Sequence, residues 1–249
     1  MVMIIGQKKI FLGVRVLWVL MLLLIAVVLG GGPGVHLGLW SPLKGFIISM
    51  TGASLGGAAL AVLSIIVMII IGMNKKRGGM GKAVIMLLIG ILLVSPVAYL
   101  RLTDGGGVPV IHDITTDMVT PPQFIELVGK RGEDANSLEY DADVIALQAE
   151  FYPDVKPMMV SDDPQKNFAK ALDVAASLGW KITGVNANLL RFEATDRSFW
   201  FNFADDVVVT VKSAENGSQI DLRSVSRVGM SDLGVNAKRI MGFQEAFNE

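Results

Sequence analysis

Three long runs of apolar residues dominate the first hundred positions of the chain. They cover residues 10–29, 46–71 and 83–102, and charge within them is confined to Arg15 and Arg101, close to helix ends. A hydrocarbon core about 30 Å thick requires roughly 20 helical residues, and each run is at least that long. The pattern therefore predicts a segment of three transmembrane helices within residues 1–103.

After residue 103 the pattern changes to short amphipathic segments. An extended arm over residues 108–122 is followed by a possible helix at 137–151 and by a clearer helix that Asp162 or Asp163 caps and Gly179 ends. Alternation and aromatic content predict strands at 180–186, 190–195, 199–203, 207–211 and 220–225, a hairpin turn at 214–217 and a last helix at 233–247. We expect an α+β domain over residues 104–249, an antiparallel sheet with helices packed on one face.

The distribution of charge supports this division and orients it. Residues 1–103 contain nine Lys and Arg residues and no Asp or Glu, whereas residues 104–249 hold 13 basic and 23 acidic residues, a net charge of −10. Most of the nine flank the first run or lie between the second and third runs. Because Lys and Arg favour the cytoplasmic side, we expect a cytoplasmic N-terminus and an extracytoplasmic domain, periplasmic if the membrane is a bacterial inner membrane.

Composition also narrows the classes of function. The first run has the basic start and apolar stretch of a signal peptide, so its cleavage stays an alternative to a retained helix. The chain has no cysteine, which excludes disulfides, thiol nucleophiles and Cys-ligated metals. An acidic domain without a basic patch disfavours nucleic acid as a partner, and no motif for a cofactor or a metal is present. The expected partners are the lipid bilayer and a membrane or envelope protein.

The densest block of polar residues lies at the end of the last predicted strand and the start of the last helix. Arg223 and Arg227 should project from one face of the strand, and the free N–H groups of a helix start favour an anion. This pattern predicts a site for a carboxylate or phosphate, with these candidate ligand-binding residues: Arg223, Arg227, Asp232, Asn236 and Arg239. The alternative is a structural network in which Arg227 pairs with Asp232 or Asp221 and Asp232 caps the helix.

A second polar cluster lies on the extended arm. His112, Asp113 and Asp117 are candidates for a general base or a metal site, because a histidine beside carboxylates can carry a proton at neutral pH. The alternative is that their hydrogen bonds hold the arm against the sheet. No established catalytic motif accompanies them, so the sequence favours a protein without enzymatic activity.

Several short segments of the soluble half resemble a known family. They are IHDITTD at Ile111–Asp117, YPD at Tyr152–Asp154, GW at Gly179–Trp180, FEAT at Phe192–Thr195, DDVVV at Asp205–Val209 and DLRSVSRVGMSDLGVNAKRI at Asp221–Ile240. Together they resemble the bacterial and plastid family catalogued as domain of unknown function 1499, over roughly residues 108–247. The resemblance implies that an N-terminal membrane segment is common in such proteins, and it implies no particular activity.

These observations lead to one leading hypothesis and two alternatives for function. The leading hypothesis is a membrane-anchored extracytoplasmic domain that binds a partner protein, an envelope component or a small anionic ligand. The first alternative is an enzyme of the cell envelope that uses His112 with Asp113 or Asp117. The second is a structural subunit of a membrane complex.

Overall fold

The structure, a computed structural model, describes residues 9–74, 77–103 and 105–249. The chain divides into two compact units, Met1–Gly106 and Gly107–Glu249, each with its own apolar core. The first unit is helical apart from a short parallel pairing of Lys9–Ile10 with Arg77–Gly78, and the second contains an antiparallel sheet with helices. Of the basic residues that flank the predicted spans, Lys8, Lys75 and Lys76 lie outside the described residues.

Three helices form the first unit, and each is long and apolar enough to cross a membrane. They are α1 (Leu12–His36), α2 (Pro42–Met73, with one wider π-helical turn at Gly52–Gly56) and α3 (Met80–Leu102). The loop predicted after residue 29 begins later than expected, because α1 continues through the glycine-rich stretch that follows. In an apolar environment the helix satisfies its own backbone groups, so glycine does not have to end it.

Small residues let these helices approach each other closely. At Gly90 of α3, a Cβ atom would lie 2.7 Å from the carbonyl oxygen of Gly57 and 2.8 Å from the amide nitrogen of Ala61, both in α2. Likewise, a Cβ at Gly45 would lie 2.6 Å from the carbonyl oxygen of Gly31 in α1. Such contacts between small residues are typical of helices packed in lipid.

In the second unit the described residues form six strands, three α-helices and one short 3₁₀ helix at Val128–Lys130. The strands are β1 (Asp113–Thr115), β2 (Met158–Val160), β3 (Lys181–Asn186), β4 (Arg191–Arg197), β5 (Ala204–Ala214) and β6 (Gly217–Ser226). The helices are α4 (Ala142–Phe151), α5 (Pro164–Ser177) and α6 (Val235–Asn248). The side chain of Asp163 caps α5 by accepting a hydrogen bond from the amide of Gln165 at 2.9 Å, as the sequence predicted.

The strands form one antiparallel sheet in the order β1-β6-β5-β4-β3. Two short strands share the outer side of β6, since β1 pairs with its residues 223–225 and β2 with its residues 218–220. At the opposite edge of the sheet, the register of the pairing between β3 and β4 shifts between Ile182 and Gly184. Such a shift marks a bulge that bends the strand.

Alternate residues along the strands point to opposite faces of the sheet, and each face packs against a different layer of the domain. On one face, Val207, Val209 and Leu222 pack against α5 and α6 in the main core. On the other face, Val208 and Val225 meet Phe124, Leu127 and Leu138, which belong to an irregular segment over residues 116–140 that we call the strap. The expected α+β fold, an antiparallel sheet with helices on one face, is confirmed.

Two predicted elements differ from the structure. The aromatic stretch 199–203 is not a strand but the turn between β4 and β5, closed by a hydrogen bond from the Ser198 amide to the Phe203 carbonyl at 2.9 Å. Aromatic residues favour strands by composition, yet here no polar alternation accompanies them. The possible helix at 137–151 begins only at Ala142, where Asp141 caps it through the amide of Asp143.

Candidate functional site

The candidate residues are distributed over the two faces of the sheet. Leu222 faces the helices, and its neighbour Arg223 therefore projects toward the strap. Arg227 turns to that same side, where it meets Asp206 of β5. The two arginines share one face, as predicted, but α6 packs on the other. The prediction that they stand beside the start of the last helix is therefore wrong.

Arg223 and Asp113 form a bidentate ion pair that is enclosed by protein. Arg223 Nε lies 3.0 Å from Asp113 Oδ1, and Nη2 lies 2.7 Å from Oδ2. Nη2 also donates to the Leu138 carbonyl at 2.7 Å, and the rings of Phe124 and Tyr140 flank the guanidinium at 5.7 and 5.3 Å. The Arg223 side chain is fully buried, and the carboxylate of Asp113 balances its charge inside the domain. Burial raises the pKa of Asp113, against the opposing effect of the Arg223 hydrogen bonds.

Asp206 balances two further guanidinium groups on the same face. Arg227 reaches both of its carboxylate oxygens, at 2.9 and 2.8 Å, and Arg131 of the strap places Nε 3.0 Å from Oδ2. The Thr195 hydroxyl donates to Oδ1 at 2.7 Å. The expected partners of Arg227, Asp232 or Asp221, are therefore wrong. The carboxylate of Asp221 accepts from Lys212 instead, at 2.9 Å.

Glu193 of β4 fixes the strap to the sheet. Its two carboxylate oxygens accept hydrogen bonds from the backbone amides of Ile125 and Leu127, at 2.6 and 2.8 Å. Arg191 donates to the same carboxylate at 2.6 Å. We call the three sets of ion pairs centred on Asp113, Asp206 and Glu193 the charged layer, which lies between the sheet and the strap.

The candidates for catalysis do not converge. Asp113 turns into the charged layer, whereas the ring of its neighbour His112 places Nδ1 3.3 Å from the Met230 carbonyl. Asp117 accepts hydrogen bonds from the amides of Val119 and Thr120 at 3.0 and 2.9 Å and from the Thr120 hydroxyl. Although partial burial acts to raise it, these hydrogen bonds lower the pKa of Asp117 overall. Among the described residues, no group of three His, Asp or Glu side chains could hold a metal ion.

The remaining candidates form a network at the start of α6, on the helix face of the sheet. Asp232 accepts from the amides of Gly234 and Asn236 at 2.8 and 2.9 Å, so this carboxylate occupies the place where an anion was expected. Burial raises the pKa of Asp232, while the two backbone hydrogen bonds oppose that rise. Arg239 pairs with Asp196 and Asp205 at 2.9 and 2.6 Å.

Asn236 connects this network to the last strand and to the arm. Its Oδ1 accepts from the Ser224 hydroxyl at 2.6 Å and from Arg239 at 2.5 Å, and its Nδ2 donates to the His112 carbonyl at 2.9 Å. The backbone of the arm is therefore held by the start of α6.

The profile of the family described as "Protein of unknown function (DUF1499)" matches residues 113–247, more than half of the chain. The chain belongs to this family. The match includes the charged layer and α6, and the three apolar helices lie outside it. Among curated proteins, no match was found.

Several residues that form ion pairs in the DUF1499 domain were not predicted from the sequence. Asp206, Glu193 and Arg131 carry much of the charged layer, yet none was a candidate. Asp206 lies at the start of the valine-rich strand β5, where alternation alone placed it on the side of Val208. That position was a usable indication that a charge faces away from the helices. The irregular strap carries no periodic pattern that could have revealed Arg131.

The charged layer of the DUF1499 domain leaves little open volume. A cavity of about 40 Å³ lies next to Arg191 and Glu193 and is bordered by Glu126 and Gly184. This volume is of the order of the roughly 30 Å³ that one water molecule occupies in the liquid, so the cavity is small. The arrangement supports the sheet and fixes the strap, and a larger ligand would require the strap to move.

Proposed function

We propose that this protein uses its three apolar helices to anchor the DUF1499 domain on the extracytoplasmic side of a membrane, where the domain binds a partner protein or envelope component without catalysing a reaction. The observation that carries the anchoring is the length and apolar character of the three helices. A span requires roughly 20 helical residues, and the shortest of the three has 23. The proposed membrane is the inner membrane of a bacterial cell.

The distribution of Lys and Arg supports the proposed orientation. With three spans, the N-terminal segment and the segment between α2 and α3 share one side of the membrane. These two segments hold Lys8, Lys9, Lys75, Lys76 and Arg77, and Lys82 lies in the first turn of α3. In contrast, Lys44 is the single Lys or Arg between residues 30 and 45. Because Lys and Arg favour the cytoplasm, the domain after α3 falls on the opposite side.

The positions of the candidate carboxylates favour a binding role over a catalytic one. A general base has to reach the proton that it removes, and an activated group needs a pocket for its substrate. The carboxylate of Asp113 pairs with Arg223, that of Asp117 accepts hydrogen bonds within a turn, and that of Asp232 accepts hydrogen bonds from amides at the start of α6. A small anionic ligand at Arg223 or Arg227 would have to displace Asp113 or Asp206, so a partner that contacts the outer surface fits this geometry better.

Cysteine labelling tests the orientation, because the natural chain has no cysteine. Asn216→Cys places a thiol in the exposed β5–β6 turn, and Lys82→Cys places one at the start of α3. In intact cells, or in spheroplasts of a Gram-negative host, a membrane-impermeant maleimide should label the first variant and reach the second only after permeabilisation. The reverse pattern would overturn the orientation.

Native mass spectrometry after extraction in a mild detergent tests the binding role. A bound protein or envelope component should add a discrete mass that disappears when the complex is dissociated. The small-ligand alternative makes a different prediction for Arg227→Gln, which should abolish binding of that ligand by the folded protein. If the variant is less stable but its folded fraction binds as before, Arg227 serves the fold and not the ligand.

A further inference from the structure

The turn between β4 and β5 presents an uncharged aromatic surface. Residues 198–203 read SFWFNF, and Phe199 is 88% exposed while Trp200 is 41% exposed. The turn has a defined shape, because the amide of Asn202 donates to the Ser198 carbonyl and the amide of Phe203 donates to the Ser198 hydroxyl, both at 2.9 Å. Large rings are thus held outward by hydrogen-bonded backbone.

Strand register places this turn at the end of the sheet where the domain begins. Asp113, the first residue of β1, pairs with Val225 near the end of β6. The neighbouring residue Ser226 pairs with Asp205 at the start of β5, directly after the aromatic turn. The segment that leads from α3 into the domain therefore arrives at the same end of the sheet as the aromatic rings. The β5–β6 turn lies at the opposite end.

Other exposed apolar side chains belong to this end of the domain. Met230 is 79% exposed, and it lies in the segment that follows β6. That segment runs beside the arm before β1, since the Ser231 hydroxyl donates to the Pro109 carbonyl and the Asp232 amide donates to the Ile111 carbonyl. Val110 and Leu233, on the same two segments, are also exposed. Three chain segments thus contribute apolar side chains to one end of the sheet.

We infer that this end of the DUF1499 domain docks onto the interfacial layer of the lipid bilayer through Phe199, Trp200 and Met230. The inference rests on the proposed anchoring. Only ten residues separate Leu102, the end of α3, from β1, and a fully extended chain of that length spans at most about 35 Å. The tethered end of the domain therefore stays close to the membrane surface.

The chemistry of the turn fits lipid headgroups and the upper acyl chains. Aromatic side chains are enriched where the bilayer meets water, because their rings are apolar while the indole N–H can still donate a hydrogen bond. Arg197, at the exposed end of β4, adds a cation beside the rings that can meet a lipid phosphate. The tether also keeps the bilayer permanently within reach of this turn.

Spin labels on single cysteines test this docking in the full-length chain reconstituted into phospholipid vesicles. The labelled variants are Phe199→Cys in the aromatic turn, Asn216→Cys at the opposite end of the sheet and Leu92→Cys on the outer surface of α3. Oxygen dissolves in lipid and a nickel chelate in water, so the ratio of their relaxation effects reports depth. The ratio at position 199 should exceed that at position 216 several-fold.

The three positions separate failure of docking from failure of anchoring. If position 92 reports lipid but position 199 reports water, the domain is anchored and the docking inference is wrong. If position 92 also reports water, the proposed anchoring itself fails. A label at position 199 that is shielded from both reagents would indicate contact with protein and would also overturn lipid docking. Phe199 is 88% exposed, so its replacement removes little buried surface from the domain.

Discussion

At the scale of single residues, the stability of the DUF1499 domain depends on charges that are buried in pairs. Taking an ion out of water is costly, and its partner offsets that cost only while both remain. Arg223 and Asp113 show this most clearly, since both side chains are nearly excluded from solvent. Removing one of them should therefore be more harmful than removing both.

Arg223→Met should lower the free energy of unfolding by about 3–5 kcal/mol, because it leaves Asp113 buried without its counter-charge. The double variant Arg223→Met with Asp113→Leu should recover part of this loss. Urea unfolding of the full chain in detergent, followed by tryptophan fluorescence to which the buried Trp180 contributes, measures both changes.

The control is Lys166→Met, which breaks the exposed 3.8 Å pair with Asp162. An exposed pair contributes about 0–1 kcal/mol, so this variant should lose little. If Arg223→Met behaved like Lys166→Met, the buried pair would not have the importance assigned to it.

The lowered pKa of Asp117 predicts a dependence of stability on pH. A carboxyl whose pKa in the folded state lies below its ordinary value of 3.8 stabilises the fold above that pH, and the contribution is lost as the pH falls through the lowered pKa. The melting temperature of Asp117→Ala should thus fall below that of the natural protein near neutral pH. The two should converge in strong acid, and Asp173→Ala, at an exposed position of α5, supplies the comparison.

At the scale of elements, the strap depends on one carboxylate of the sheet. Glu193→Ala removes the acceptors for the amides of Ile125 and Leu127, so both amides should exchange with deuterium much faster than in the natural protein. Hydrogen–deuterium exchange with peptide mass spectrometry measures this. Glu133→Ala, an exposed position on the strap, should leave the exchange unchanged. Fast exchange in both variants would show that the strap loosens for another reason.

The close contact between α2 and α3 leads to a prediction about the stability of the apolar unit. Gly90→Val should lower the thermal stability of the purified protein in detergent, because the new side chain meets the backbone of Gly57 and Ala61. Gly72→Val is the matched control, since a Cβ at Gly72 would meet no atom within 4 Å. A similar loss in both variants would point to helix propensity and not to packing.

Elements with a strong periodic pattern could be predicted, and those defined by long-range contacts could not. The predictions of the strand around Val207 and Val209 and of the helix capped by Asp163 were confirmed, because alternation and capping are local properties. The stretch 199–203 was assigned wrongly, because aromatic content does not distinguish a strand from an exposed turn. The predicted partner of Arg227 was also wrong, because the pairing of β5 with β6 is what brings Asp206 next to Arg227.

At the scale of the whole molecule, the two halves of the sequence are suited to different solvents. All 23 acidic residues follow position 103, while residues 1–103 supply the three apolar helices. The full-length protein should therefore remain in the membrane pellet after extraction with alkaline carbonate, which releases peripheral proteins. Removal of residues 1–103 should shift the domain to the soluble fraction or to vesicle-dependent, reversible attachment. Release of the full-length chain by carbonate would contradict the anchoring.

The bulge in β3 has a consequence for how copies of the domain meet one another when they are crowded. An outer strand offers unpaired backbone groups on which a neighbouring molecule could add its own strand. The shift between Ile182 and Gly184 bends this strand, and on the opposite side of the sheet β1 and β2 cover β6. Neither edge of the sheet is therefore a good template for strand addition by a second copy. Crowding of many copies should not cause their sheets to join.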